Sequence, residues 1–223
     1  MNQDIFQETI AYQFKRSKLL EQALTHRSYS SNLNNERLEF LGDSILNLVI
    51  SRYIYLARPN ANEGELSRIR ASLVNEEALV RVARDIDLGE YINLGGGELK
   101  SGGSRRASIL SDTMEAIFGA IYLDSGFSQA QQTILFLYDE YLRKLPDAEV
   151  LKDPKTRLQE YLQSQQIELP KYKVSKTTGK SHDQTFTVTC IIDALNLNTS
   201  GKGSSRKKAE QSAADSALHR LNR

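Results

Sequence analysis

Two short stretches of the chain concentrate carboxylates at helical spacing. In NERLEFLGD (35–43), Glu36, Glu39 and Asp43 stand at i, i+3 and i+7. On a helix these positions fall within roughly 60° of one another. Leu38, Leu41, Ile45, Leu48 and Val49 take the opposite side, so the expected helix carries an acidic stripe beside a core-facing one. In SDTMEAIFGAIYLD, Asp112 and Glu115 stand at i and i+3 where an apolar run begins, and Glu63, in NEGELSRIR, is a further acidic candidate. Carboxylates at such spacing repel one another unless a cation neutralises them. If the stretches meet, the site they form holds neither histidine nor thiolate. Such an all-oxygen site selects a hard divalent cation, Mg2+ or Mn2+. The matching chemistry is metal-assisted phosphodiester hydrolysis.

Plainer readings stand beside this one. The first stripe also reads as a solvated acidic face offset by Arg37. The second also reads as a helix cap, with Asp112 as N-cap and Glu115 reaching back.

The rest of the composition narrows the choice. The chain has 223 residues, enough for one large domain or two ordinary ones. Its single cysteine, Cys190, cannot form an intramolecular disulfide, and with His26, His182 and His219 scattered, a Cys/His zinc site is not expected. The start, MNQDIFQETIAYQF, lacks a basic segment followed by an apolar block, and no apolar run approaches a membrane span. A reducing, cytoplasmic setting without membrane attachment is the expectation. The net charge of +1 conceals an asymmetry. Residues 1–150 carry 16 Lys+Arg against 21 Asp+Glu, and residues 151–223 carry 13 against 7. Chance variation between halves would give some asymmetry, but an acidic body with a basic module suits a polyanionic partner such as nucleic acid.

The elements that must position the acids read mostly as helices. LEFLGDSILNLVISRYIYL is apolar at helical spacing, and further helical patterns run through Leu66–Val74, Glu77–Ile86, Thr113–Leu123 and Ser128–Leu145. LGGGELKSGGSRR (94–106) reads as a glycine-rich loop. The proline-bearing, charged segment 145–155 reads as a seam. It sets the expected division into an all-α domain at 1–146, a linker at 147–152 and a small α+β domain at 153–223.

Asp153 followed by Pro154 looks like an N-cap with proline in the first turn, opening a helix at Lys155–Gln165. Lys171–Lys176 and Gln184–Ile192 then read as strands, with Phe186, Val188, Cys190 and Ile192 on one face, and a third strand falls near Leu197–Gly201. On that face Cys190 is core packing rather than a nucleophile. A helix from SRKKAEQ onward closes the chain, for an α-β-β-β-α order. Arg206, Lys207 and Lys208 open that helix, where exposed N–H groups and the dipole also favour phosphate.

These motifs carry a family resemblance. NERLEFLGDSIL resembles the signature of the ribonuclease III family over about a dozen positions. HRS (26–28), EGELSRIRASLV (63–74), GELKSGG (97–103) and SILSDTMEAIFGAIYLD (108–124) are similar to the same family in the same order. The resemblance covers nearly the whole chain and matches the short bacterial form, one nuclease domain followed by one binding domain. It implies Glu39, Asp112 and Glu115 as metal ligands, Asp43 and Glu115 as catalytic residues, and Glu36 and Glu63 as further acids of the cleft. It implies a Mg2+-dependent homodimer, with Mn2+ able to substitute, that cuts double-stranded RNA to staggered ends with 5′ phosphate and 3′ hydroxyl. Precursors of ribosomal RNA, with some messages and transfer RNAs, are the implied substrates. All six acids are intact, so the resemblance gives no sign of a dead enzyme.

Residues 153–223 resemble a double-stranded RNA-binding domain in three regions. The first helix presents Thr156, Gln159 and Glu160, which the resemblance places in a minor groove. The TGKSHDQ loop (178–184) carries His182, matching the tip that reaches the next minor groove. GSSRKK (203–208), with Ser205, Arg206, Lys207 and Lys208, matches the start of the last helix. Together such regions span roughly 16 base pairs of A-form RNA and read shape and 2′-hydroxyls. Thr185 departs from the pattern, where an acidic residue is expected after HDQ. A binder without chemistry and a DNA nuclease are the competing readings; a pure binder would have no use for the intact acids.

Several lookalikes fail. Gly179-Lys180-Ser181 resembles the end of a phosphate-binding loop, but Val174 stands where the motif requires glycine. Lys100 fails likewise, being preceded by Leu99, and the tyrosines form no stacking stripe for single-stranded RNA.

Overall fold

The structure is a computed structural model that describes residues 3–179 and 184–221. The chain divides into two compact units, Met1–Leu151 and Lys152–Arg223. The expected fold class holds in both: the first unit is helical, and the second follows the order α-β-β-β-α.

The first unit contains α1 (Gln3–Thr9), α2 (Ser17–Ala23), α3 (Glu36–Ala57), α4 (Glu63–Val74), α5 (Glu76–Asp85), α6 (Gly96–Lys100), α7 (Ala107–Ser125), α8 (Phe127–Leu137) and α9 (Asp139–Arg143). At its centre α7 is buried nearly all round, with Ile109, Leu110, Met114, Ala116–Phe118, Ala120 and Ile121 in the core. A helix this apolar on every side belongs in an interior, not at a surface. Against it lies α3, which buries Leu38, Ile45, Leu46, Val49, Ile50 and Ile54. Caps fix several helix starts. Asn62 and Glu65 form a reciprocal capping box at α4, and Asn75 accepts from the Ala78 N–H at α5. At the far end of α7, the Asp124 carboxylate gathers the Tyr12 hydroxyl (2.7 Å) and the Lys15 N–H (2.8 Å), which ties the N-terminal segment to that helix.

Two glycines set how closely α3 and α7 approach. A Cβ at Gly42 would collide with the Glu115 carbonyl oxygen, and one at Gly119 with the Leu38 carbonyl oxygen. The two backbones therefore touch where side chains would otherwise hold helix axes about 8–10 Å apart. That contact sets the Glu115 turn of α7 against α3 between Glu39 and Asp43.

The second unit contains α10 (Pro154–Ser164), a three-stranded antiparallel sheet in the order β1 (Lys171–Thr178), β2 (Thr185–Ile192) and β3 (Leu197–Gly203), and α11 (Arg206–Leu221). Asp153 caps α10 by accepting from the Thr156 N–H, with Pro154 following it, as the Asp-Pro pair implies. Val188, Cys190 and Ile192 face inward at period two. Cys190 and Ile192 join Leu158, Leu162 and the Ala213, Ala214 and Ala217 surface of α11 in a separate core. Cys190 is thus a packing residue.

Three expectations are corrected. Segment 94–106 is not an open loop: it folds into α6 and a further 3-10 turn, held by an Arg106–Glu98 ion pair of 2.5 Å. Asp112 is not an N-cap, because α7 already begins at Ala107 and has turned more than once before reaching it. Leu48 does not face the core but is exposed, with Phe40, Tyr55 and Leu56 on the same helix. Within the segment expected as linker, Ala148 packs on the first unit's core. Among the described residues, no helix is long and apolar enough to cross a membrane.

The helix contact generates a stability prediction. Gly42→Ala should destabilise the first unit by about 3 kcal/mol, the upper range for overpacking a filled interior, because backbone rather than a flexible side chain must yield. Calorimetric unfolding should show the loss in the first unit's transition, with the second unit's transition unmoved.

Candidate metal centre and nuclease cleft

The contact between α3 and α7 brings the two acidic stretches together. One carboxylate oxygen each from Glu39, Asp112 and Glu115 can be chosen so that all three lie within 4.8 Å of one another, and each side chain is half-buried. Spacing within each helix accounts for part of this. Asp112 and Glu115 are one turn apart on α7, and Glu39 faces them from the first turn of α3.

The electrostatics record the strain of the arrangement. The Glu115 carboxyl is pushed up to about 8, first by burial and then by Asp43, Glu39 and Asp112. Glu39 is raised by burial, then by Asp112, Glu36 and Asp43. Asp112 is also raised by burial. A hydrogen bond from Ser111 opposes that rise, Glu76 adds to it, and His26 and Arg27 pull the other way. Desolvation and like charge thus act together on three acids that share one small space. A cation between them would relieve both. The donor set, three carboxylates with no nitrogen or sulfur, fits a hard divalent ion.

The other sequence-selected acids sit around this cluster rather than in it. Asp43 is exposed on α3 and accepts from the Asn47 amide at 2.7 Å. Glu36 is exposed and pairs with Arg27 at 3.3 Å. Glu63 opens α4, accepts from the Ser67 hydroxyl at 2.7 Å and does not figure among the charges that perturb the cluster. Glu76, at the start of α5, does perturb Asp112 and went unnoticed in the sequence, since nothing local to residues 75–77 marks it. Beside the cluster lies a polar cavity of 780 Å³, lined by Glu39 and Asp112 together with His26, Arg27 and Arg106.

In the second unit, Gln159 and Glu160 are exposed on α10, with Glu160 paired to Lys152 at 2.7 Å. Thr156 is half-buried and donates its hydroxyl to Asp153 at 2.8 Å, so it serves the helix cap as well. Lys207 and Lys208 are exposed in the first turn of α11. Arg206 pairs with Glu210 at 2.9 Å, and Ser205 accepts from the Lys208 N–H at 3.2 Å. His182 lies outside the described residues.

A helical body with a carboxylate cleft, joined to an α-β-β-β-α module with a basic helix start, defines a two-part class of nucleic-acid-processing protein. The family model for Ribonuclease-III-like proteins matches residues 16–141, and that for the double-stranded RNA binding motif matches residues 154–221. The Ribonuclease 3 of Alkalilimnicola ehrlichii is 53% identical over 218 residues, covering 98% of this chain and 95% of that protein. That of Histophilus somni is 50% identical over 221 residues, 99% of each. A solved nuclease domain of ribonuclease III from Campylobacter jejuni, whose study concerns flexibility in a region involved in dimer formation, is 42% identical with a TM-score of 0.61. The match covers 62% of this chain and 97% of that one. The chain belongs to the ribonuclease III family.

The raised Glu115 carboxyl gives a pH prediction. An unfolded glutamate ionises near 4.5, whereas the folded one keeps its proton to about 8. Between those values the folded state binds more protons than the unfolded state, so stability falls as pH rises and levels off above the folded value. In chelator, wild-type protein should lose stability from about pH 5 to pH 8, and Glu115→Gln should show a shallower slope, the remainder coming from the raised Glu39 and Asp112 carboxyls. Denaturant titrations across pH check both.

Proposed function

We propose that the chain cuts both strands of double-stranded RNA as a Mg2+-dependent endonuclease, with Mn2+ able to substitute, leaving staggered ends with 5′ phosphate and 3′ hydroxyl. The convergence of Glu39, Asp112 and Glu115 is the observation that carries this reading. Those three residues would hold the cation. When bound, it supplies the Lewis acidity that ionises a water and stabilises charge on the phosphate and the departing oxygen. Asp43 stands one turn from Glu39 with one oxygen committed to Asn47, leaving the other to orient a water or take its proton. Glu36 and Glu63 would contribute further negative charge to the cleft. Placing the acids half out of water strengthens each of these interactions relative to an exposed site.

The second unit would supply grip rather than chemistry. Thr156, Gln159 and Glu160 on α10, His182, and Ser205, Arg206, Lys207 and Lys208 at α11 would contact backbone and 2′-hydroxyls, which favours RNA over DNA. Homodimerisation is supported by α3 itself. Phe40, Leu48 and Tyr55 lie within about 80° of one another on that helix, and all three are exposed, Phe40 to 79%. Large apolar side chains contiguous on one face mark an interface. Two copies paired there would present one acidic cluster for each RNA strand. The buried lone thiol of Cys190 supports a reducing, cytoplasmic setting, where precursors of ribosomal RNA, some messages and transfer RNAs would be substrates.

The test is a long labelled RNA duplex incubated with purified protein, with sizing of the products. Wild type should cut it with Mg2+ and not with EDTA, and should leave a DNA duplex of equal length whole. Glu115→Ala should abolish cutting while leaving duplex binding within about twofold, since binding resides in the other unit. Cutting by Glu115→Ala at the wild-type rate refutes the site. Removing Lys207 and Lys208 together should reduce the slope of log affinity against log salt by about two, one for each phosphate that is no longer neutralised.

A further inference from the structure

The cavity beside the acid cluster contains a hydrogen-bond donor that the nuclease reading leaves unused. His26 lines it, half-buried, and lies close enough to Asp112 to influence that carboxyl. Its backbone is fixed: the His26 N–H donates to the Asn93 carbonyl at 3.1 Å, and Thr25 and Asn93 form a parallel bridge. Its ring is fixed as well. Nδ1 accepts the Ser28 backbone N–H at 3.2 Å and lies 2.8 Å from the Ser28 hydroxyl. That hydroxyl also accepts the Gly95 N–H at 3.0 Å, while the Ser28 backbone N–H makes Nδ1 an acceptor. A nitrogen that accepts cannot carry the proton. When neutral, the ring is therefore held with its hydrogen on Nε2.

The neighbouring cations are committed elsewhere. Arg27 pairs with Glu36 at 3.3 Å, and Arg106 with Glu98 at 2.5 Å. A guanidinium in this acid-rich cavity is drawn to carboxylates, as both of these are. The His26 ring forms no ion pair among the described residues, and its Nε2–H stays available to an incoming acceptor. Nε2–H has no hydrogen-bond partner among the described residues.

We propose that His26 is a substrate-contact residue, donating Nε2–H to a non-bridging phosphate oxygen of the RNA strand in the cleft, and that Ser28 is the positioning residue that fixes its tautomer. The inference rests on the nuclease reading above. A preorganised donor of this kind acts on the charge that develops at the reacting phosphate and needs no reorganisation when the strand arrives.

The test compares His26→Ala, His26→Gln and Ser28→Ala in steady-state cutting of an RNA duplex. The amide nitrogen of glutamine can occupy the position of Nε2, so Gln retains the donor. His26→Ala should lower kcat/KM by about 10–100-fold, the range for one hydrogen bond to a charged group. His26→Gln should recover to within about threefold of wild type, and Ser28→Ala should fall between the two. Duplex binding in EDTA, carried by the second unit, should not change. A merely structural His26 would instead leave Gln and Ala equally impaired, with a lowered unfolding midpoint. The tautomer has its own readout: ring 15N shifts at about pH 8 should place the His26 proton on Nε2. Wild-type kcat/KM in His26→Ala, equal defects in Gln and Ala, or a proton on Nδ1 would each overturn the proposal. Cutting that is lost in Glu115→Gln but kept in His26→Ala overturns this inference alone. A wild-type protein that cuts no RNA duplex overturns the nuclease reading beneath it.

Discussion

Everything in the first unit depends on one backbone contact. With no Cβ at Gly42 or Gly119, α3 and α7 can touch, and the Glu115 carbonyl occupies space a side chain at Gly42 would fill. The contact forces together groups that would separate if free to do so. Three half-buried acids share one small volume, and the Glu115 carboxyl responds by holding its proton to about 8. The apolar core built on α7 offsets that cost, since burial of Ile117, Phe118, Ile121 and their α3 partners favours the same approach that the carboxylates oppose. The site is thus a strained arrangement imposed by packing, and a cation bound there would relieve the strain.

The second unit is constructed on its own terms. Its core joins α10, the sheet and α11 through Leu158, Leu162, Cys190, Ile192 and a run of alanines, with no need of the first unit's apolar residues. Negative charge predominates in the first unit and positive charge in the second. One body carrying both charges on a single surface would pair them internally, as Arg27 with Glu36 and Arg106 with Glu98 already do on a small scale. Separate units allow affinity and chemistry to be adjusted independently.

Much of this is legible in the sequence because the signals are periodic and local. The i, i+3 and i+7 acids of 36–43 announce one stripe, Asp112 and Glu115 announce another, and the Asp153-Pro154 pair marks the start of α10. The errors have a common physical source. Asp112 reads as a cap because the apolar run becomes dense just after it, yet Ala107–Ser111 supplies an additional turn of α7 that periodicity alone does not reveal. Leu48 reads as core because its helical angle suits the apolar face, but the neighbouring helices leave that part of α3 uncovered. Glu76 carries no local mark at all, and His26 is marked only as part of the HRS motif. Their relevance arises from tertiary placement beside Asp112, which no spacing rule encodes. Ala148 packs where composition suggests a linker, since a small apolar residue can be captured by a nearby core even in a charged, proline-flanked segment.

The central claim is that α3 and α7 converge their acids on a hard cation. Anomalous scattering from crystals soaked in Mn2+ measures this directly. The account predicts a peak bounded by the carboxylate oxygens of Glu39, Asp112 and Glu115. A saturating Mn2+ soak of active protein that gives no density among those three side chains, or density on another face, would contradict it.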